Sequence, residues 1–158
     1  MKSVIVYYSL SGNTGKIAEK IQKEIGGDIA EIKTVTPYTG GYNAIVDQGH
    51  KEVNSGFSPA IEPLGIDLKN YDTVIIGTPV WWYTFAPAVK TFFEENDLSG
   101  KTVYPFATNG GWLGHTFEDI KKICRGATVK SGLNVYFSNS TLKTKETEIK
   151  NWISRIGG

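Results

Sequence analysis

The run Val74-Ile75-Ile76 has no polar residue at alternate positions, so a strand built on it is buried on both faces. Val4-Ile5-Val6 has the same character. Strands of this kind belong to a parallel sheet covered by helices, and helical patterns fall between them. Strands are predicted over residues 2–8, 29–33, 73–77, 102–107 and 134–138, and helices over 15–25, 86–95, 116–124 and 143–156. The first helix places Ile17, Ile21 and Ile25 on one face and meets Gly26-Gly27, a suitable C-cap. The second has Pro87 near its start. In the last, Glu146 and Lys150 are spaced i,i+4. The alternation implies an α/β fold, a doubly wound parallel sheet with helices on both faces. The crossover over 34–68 is long and rich in Gly, Pro, Asn and Tyr, with a short helix expected over 42–53. It reads equally as a functional loop or as a surface excursion.

Other classes are excluded more briefly. A chain of 158 residues suits one domain, 1–158, with a sizeable core. Its apolar runs are too short to span a bilayer, and residues 1–3 have no signal-peptide layout. Cys124 is the single cysteine, so no internal disulfide can form, and no metal-ligand cluster is visible. A cytoplasmic location is expected. A formal net charge of +1 points to neither nucleic acid nor an anionic membrane as partner.

Between the first strand and the first helix stands Ser9-Leu10-Ser11-Gly12-Asn13-Thr14-Gly15. A helix N-terminus offers unpaired N–H groups and a partial positive charge, which suits a phosphate. Ser9, Ser11, Asn13 and Thr14 add neutral donors, and Gly12 allows close backbone approach. A nucleotide P-loop is excluded, because Leu10 replaces its first glycine and Ile17 follows Gly15-Lys16. The dinucleotide pattern lacks its first glycine for the same reason. A receiver domain would place carboxylates where Tyr7, Tyr8 and Ser9 stand. The plain alternative is a strand-to-helix turn with a Ser, Thr or Asn cap.

Ligands of open α/β sheets bind beyond the carboxyl ends of the strands. Two more loops leave that edge: Gly77-Thr78-Pro79-Val80-Trp81-Trp82-Tyr83-Thr84-Phe85 and Ala107-Thr108-Asn109-Gly110-Gly111-Trp112-Leu113-Gly114-His115-Thr116. Each aromatic there could pack on the core or on a second subunit. A flat ring accounts for several at once. With a phosphate at the other end, the ligand is the size of a mononucleotide.

The segments 6–14, 71–82 and 98–111 resemble the flavodoxin family in order and spacing. The resemblance implies a five-stranded sheet of order 2-1-3-4-5 with FMN at the switch point between the first and third strands, an arrangement for which flavodoxins are the standard example. It implies that Ser9, Ser11, Gly12, Asn13 and Thr14 wrap the FMN phosphate. Thr78 and Pro79 would lie by the ribityl chain and ring, with Val80 also cofactor-binding. Trp81 or Trp82 would lie against the isoalloxazine. Thr108, Asn109, Gly110 and Gly111 would meet its pyrimidine edge. Trp112 and His115 are left open, His115 being a helix cap or a proton donor near the ring. His50 is expected in solvent and Cys124 in the core. Asn139-Ser140-Thr141 matches a glycosylation sequon that a cytoplasmic protein would not use.

The resemblance implies redox function but leaves its form open. Electron-carrier flavodoxins are strongly acidic. Here residues 73–93 and 98–117 contain no Asp or Glu, which favours the anionic reduced flavin and weakens steering toward basic partners. Asp47 and Glu52 are the carboxylates that folding could bring close. Residues 80–85 also lack glycine, so a positive φ at Trp82 or Tyr83 would carry strain. Both points lean toward two-electron chemistry, as in an NAD(P)H-dependent FMN oxidoreductase acting on quinones or nitroaromatics. The candidates are therefore an electron carrier with a redox partner protein and an enzyme with a small-molecule acceptor, the latter as a homodimer that helps cover the flavin. A non-redox binding module is the third. No residue is an evident catalytic acid or base.

Overall fold

A computed structural model describes residues 2–157. Strand β1 (Ser3–Tyr7) leads into α1 (Asn13–Ile25) and β2 (Asp28–Glu31). The crossover carries α2 (Tyr42–Ser55), and then come β3 (Thr73–Trp81), β4 (Thr84–Phe85) and α3 (Pro87–Glu95). The chain continues through β5 (Thr102–Asn109), α4 (Thr116–Ile123), β6 (Thr128–Val129), β7 (Leu133–Ser138), β8 (Thr141–Leu142) and α5 (Glu146–Ile153).

The sheet order is β2-β1-β3-β5-β7-β8, with β4 beside β3 and β6 beside β5. β2, β1, β3, β5 and β7 are parallel to one another. Without the two-residue strands β4, β6 and β8 this is the expected 2-1-3-4-5 order. The sheet has eight strands rather than five because two residues are too few to show a period in sequence.

Successive strand residues serve opposite faces. Val4, Val6, Val74 and Ile76 pack with Val89 and Phe92 of α3. Ile5 and Ile75 pack with Ile17 and Ile21 of α1 and with Ile149 and Trp152 of α5. In the crossover, Tyr38, Ile61, Leu64, Ile66 and Leu68 rest on the first of these cores. It is therefore stitched to the sheet rather than looped away from it.

β3 runs four residues past the predicted 73–77, so much of the second predicted loop is strand. Pro79 sits in it without loss. The Gly77 carbonyl accepts from Tyr8 N–H (3.1 Å) on the β1 side. Pro79, two residues on, faces the same side beyond the end of β1, where no ladder bond needs its missing N–H.

Cys124 is buried at the end of α4, and burial pushes its thiol up to about 12. The native protein should react with a thiol reagent at pH 8 roughly a thousandfold more slowly than the unfolded chain, since the thiolate is the reacting form. Equal rates would place the thiol in solvent. Among the described residues no helix is long and apolar enough to cross a membrane.

Candidate functional site

The loop between β1 and α1 is held from within. Ser9 Oγ accepts from the N–H groups of Gly12 (3.1 Å) and Gly15 (3.3 Å), so it braces the loop and does not point outward. Gly12 occupies the N-cap position with φ 99°, and no side chain at that position caps the helix. Ser9, three residues before the N-cap position, supplies the capping oxygen to Gly15 N–H instead. The N–H groups of Ser11, Asn13 and Thr14 have no acceptor among the described residues. They stand at the positive end of α1, whose first turn has no acidic residue. Asn13 Nδ2 donates to Asn139 O (2.8 Å), and its Oδ1 is buried with no partner among the described residues. Thr14 Oγ1 and Thr108 Oγ1, both buried, share a 2.6 Å hydrogen bond that ties this loop to the end of β5.

A cleft of ≈ 290 Å³ opens here. Ser11, Asn13 and Thr14 close one end, Pro79, Val80 and Trp81 form one wall, and Thr108, Asn109 and Gly110 form another. The fold therefore gathers nine of the predicted positions. The other five stand behind or beside them. Ser9 and Gly12 shape the first loop. Thr78 is fully buried, and its hydroxyl accepts from Ala86 N–H (3.0 Å) and donates to Pro79 O (2.8 Å). Gly111, at φ 112°, donates its N–H to Asn109 Oδ1 (2.9 Å). Trp82 turns away and stacks on His50, with ring centroids 3.9 Å apart.

Sequence reasoning missed Leu10, Tyr42, Phe137 and Asn139, which also line the cleft. Phe137 and Asn139 flank the carboxyl end of β7, so the rule that located the other loops would have found them. Tyr42 comes from the crossover and carries no such signal.

The second loop is a two-residue hairpin: Val80 pairs with Phe85 and Trp81 with Thr84. Such a turn requires positive φ, which Trp82 (49°) and Tyr83 (72°) both adopt. The strain expected at one of them is present at both. Neighbours hold it in place. Tyr83 O accepts from His115 N–H (2.8 Å), and Thr84 Oγ1 donates to Asp119 Oδ2 (2.6 Å). A Cβ on Gly114 would lie 2.4 Å from Tyr83 O, so only glycine permits this approach. His115 stands at the N-cap position of α4, but its ring pairs with Asp119 and lies outside the cleft. Trp112 is 67% exposed and packs only edgewise, on Tyr83.

Beneath the cleft wall, Trp81 meets the edges of Tyr8 (5.9 Å) and Tyr38 (5.1 Å). Gly49 brings α2 against the same ring. Glu52 of α2 is buried and accepts from Tyr38 Oη (2.6 Å) and Gln48 Nε2 (2.9 Å). Burial raises the phenol pKa of Tyr8, and the Glu52 carboxylate raises it further. Burial and the hydrogen bond to Glu52 raise that of Tyr38. The acid-free windows of the sequence thus understate the negative charge beside Trp81. A larger concavity of ≈ 610 Å³ lies between β7 and α5, lined in part by Lys145, Glu148 and Arg155. Of the predicted site residues it contains none.

Residues 2–156 match the protein-family model described as Flavodoxin. The chain belongs to the flavodoxin family. Flavodoxin 1 of Salmonella typhimurium is 31% identical to it over 106 residues, 65% of this chain and 46% of that protein. The chain thus spans about half the length of the curated relatives it matches. A solved protein of Bacteroides eggerthii is 33% identical and superposes with a TM-score of 0.83, covering 99% of this chain and 98% of that one. A flavoprotein of Lactobacillus acidophilus, solved in complex with FMN, is 26% identical, with a TM-score of 0.77 and coverage of 96% and 97%.

Proposed function

We propose that this flavodoxin-family chain, as a single domain, binds FMN non-covalently and carries or transfers electrons through it. One observation carries the reading: unpaired N–H groups and the buried, partnerless Asn13 Oδ1 converge on a cleft with an apolar wall. The N–H groups of Ser11, Asn13 and Thr14 suit a phosphate. Asn13 Oδ1 requires a donor, which a ribityl hydroxyl provides and a phosphate dianion does not. Pro79, Val80 and Trp81 suit the face of a ring, and Thr108, Asn109 and Gly110 its polar edge. Ser9, Gly12, Thr78 and Gly111 position these groups. The FMN complex of the Lactobacillus acidophilus protein supports the same reading. FMN supplies the redox chemistry, and the chain sets its surroundings. The cytoplasm is the proposed location, and a redox protein or a small molecule the acceptor. Exposed Tyr83 and Trp112 form the surface that a second copy would cover.

Titration with FMN should give a yellow complex of one flavin per chain. Ser9→Ala removes the acceptor of two loop N–H groups and should weaken FMN binding roughly tenfold to a hundredfold, with the circular dichroism spectrum unchanged. A colourless protein that takes up no FMN would instead support the non-redox binding module.

A further inference from the structure

The concavity of ≈ 610 Å³ between α5 and the start of β7 has a strand edge for one wall. Tyr136 N–H donates to Thr144 Oγ1 (2.7 Å), and Tyr136 O accepts from Lys143 N–H (2.8 Å), so the backbone of Tyr136 faces away from β5. Successive strand residues alternate in this direction, which turns the N–H and C=O of Asn134 outward as well. β8 does not reach them, because it pairs only with Phe137 and Ser138. Gly132 lines the concavity beside Asn134, and its N–H and C=O have no partner among the described residues. The opposite wall is α5. Trp152 Nε1 donates to Ser131 O (2.8 Å), and Tyr104 Oη donates to Arg155 O (3.3 Å), so helix and edge keep a fixed spacing.

The charge of this groove is one-sided. Lys145 and Arg155 line it, and Lys130 lines a smaller hollow that shares Trp152 and Arg155. The ion pairs among the described residues are Lys20–Glu146 and His115–Asp119, so none of the three cations is compensated. Glu148 is the one carboxylate on the lining and cannot offset them all. We propose that this edge docks an extended, acidic segment of a partner protein. Laid beside β7 as an added strand, its backbone pairs with Gly132 and Asn134. Its carboxylates meet Lys130, Lys145 and Arg155. A fully ionised anion such as sulfate answers the cations but leaves the outward C=O groups without donors. A second copy of this chain, placed edge to edge, would set the same cations against one another. The place is next to the cleft: Asn109 Nδ2 donates to Asn134 Oδ1 (2.6 Å), and Asn109 lines the cleft. The docking itself does not depend on what the cleft holds.

An NMR titration of isotope-labelled protein with the capped hexapeptide Glu-Val-Glu-Val-Glu-Val tests this. The Asn134 amide should shift, and at saturation its hydrogen exchange should slow roughly tenfold or more, because an added strand takes up its free N–H. The Lys-Val counterpart of the peptide, and sulfate, should leave that exchange unchanged. Lys145→Gln with Arg155→Gln should weaken binding of the acidic peptide about tenfold, with the circular dichroism spectrum unchanged. Glu148→Gln should tighten it about twofold to threefold, a gain that no loss of folding produces. Equal binding of the two peptides overturns the proposal, as does undiminished binding in the double variant. Binding that leaves Asn134 exchange unaltered overturns it too, because the peptide would then be a counter-ion and not a strand. Protection of Asn134 that rises with protein concentration alone would give the edge to a second copy instead.

Discussion

Replacing Gly77 by alanine should lower the thermal midpoint by roughly 6–12 °C. A Cβ at this position would lie 2.1 Å from Cζ of Phe106 and 2.6 Å and 2.7 Å from two further ring atoms. Gly77 pairs with Tyr7 on one side and Phe106 on the other, in the middle of the sheet. Phe106 is fully buried, shares its cluster with Ile17 and Ile21, and packs edgewise on Trp152 at 6.3 Å. Its ring has nowhere to retreat, so the strands must part or the ring must take a strained rotamer. Overpacking of this kind costs about 3 kcal/mol, and each kcal/mol moves the midpoint of a domain this size by roughly 2–4 °C. Gly77→Ala with Phe106→Leu should recover part of the loss, since the two changes share one contact. A single variant that melts within 2 °C of wild type would mean that the ring moves freely.

The same pair shows what the sequence could disclose. The doubly buried strands announce themselves through Val74-Ile75-Ile76, because burial on both faces removes polar residues from both. Strand order has no such local signature and came through family resemblance. The extension of β3 was masked by Pro79, which argues against a strand unless the end of β1 is known. In the site, the legible residues were those with unusual local composition, from Ser11 to Thr14 and from Thr108 to Gly110. Phe137 and Asn139 escaped because β7 alternates buried and exposed residues like an edge strand, and the stretch after it read as an idle sequon. Tyr42, Gly49 and Glu52 are brought to Trp81 by a crossover whose path no periodicity specifies. The acid-free windows omit Glu52, the carboxylate named as one that folding could bring close, for the same reason: a window of residues describes a segment, whereas a potential depends on distance in space.

Gly114→Ala should weaken FMN binding roughly tenfold to a hundredfold, about 1.4–2.8 kcal/mol, although residue 114 lies outside the cleft. Gly114 has φ +63°, and an added Cβ would meet Tyr83 O at 2.4 Å and Tyr83 Cα at 2.5 Å. Both are backbone atoms, so no rotamer change relieves the contact. Separating the two segments breaks the bond from His115 N–H to Tyr83 O and draws Thr84 from Asp119. Those contacts are what over-determine the left-handed turn at Trp82 and Tyr83, and a strained turn persists only while its surroundings hold it. Once released, it carries Val80 and Trp81, the cleft wall, with it. Gly126→Ala supplies the control. Gly126 also has positive φ (+83°), and its Cβ would lie 2.7 Å from Ser99 Oγ, but none of these residues lines the cleft. That variant should lose thermal stability and keep its FMN affinity. If Gly114→Ala does no more than Gly126→Ala, the third loop supports the fold alone. If FMN affinity falls only in Gly114→Ala, the hairpin and the loop after β5 work as one wall, and the aromatic turn is held in place for the ligand.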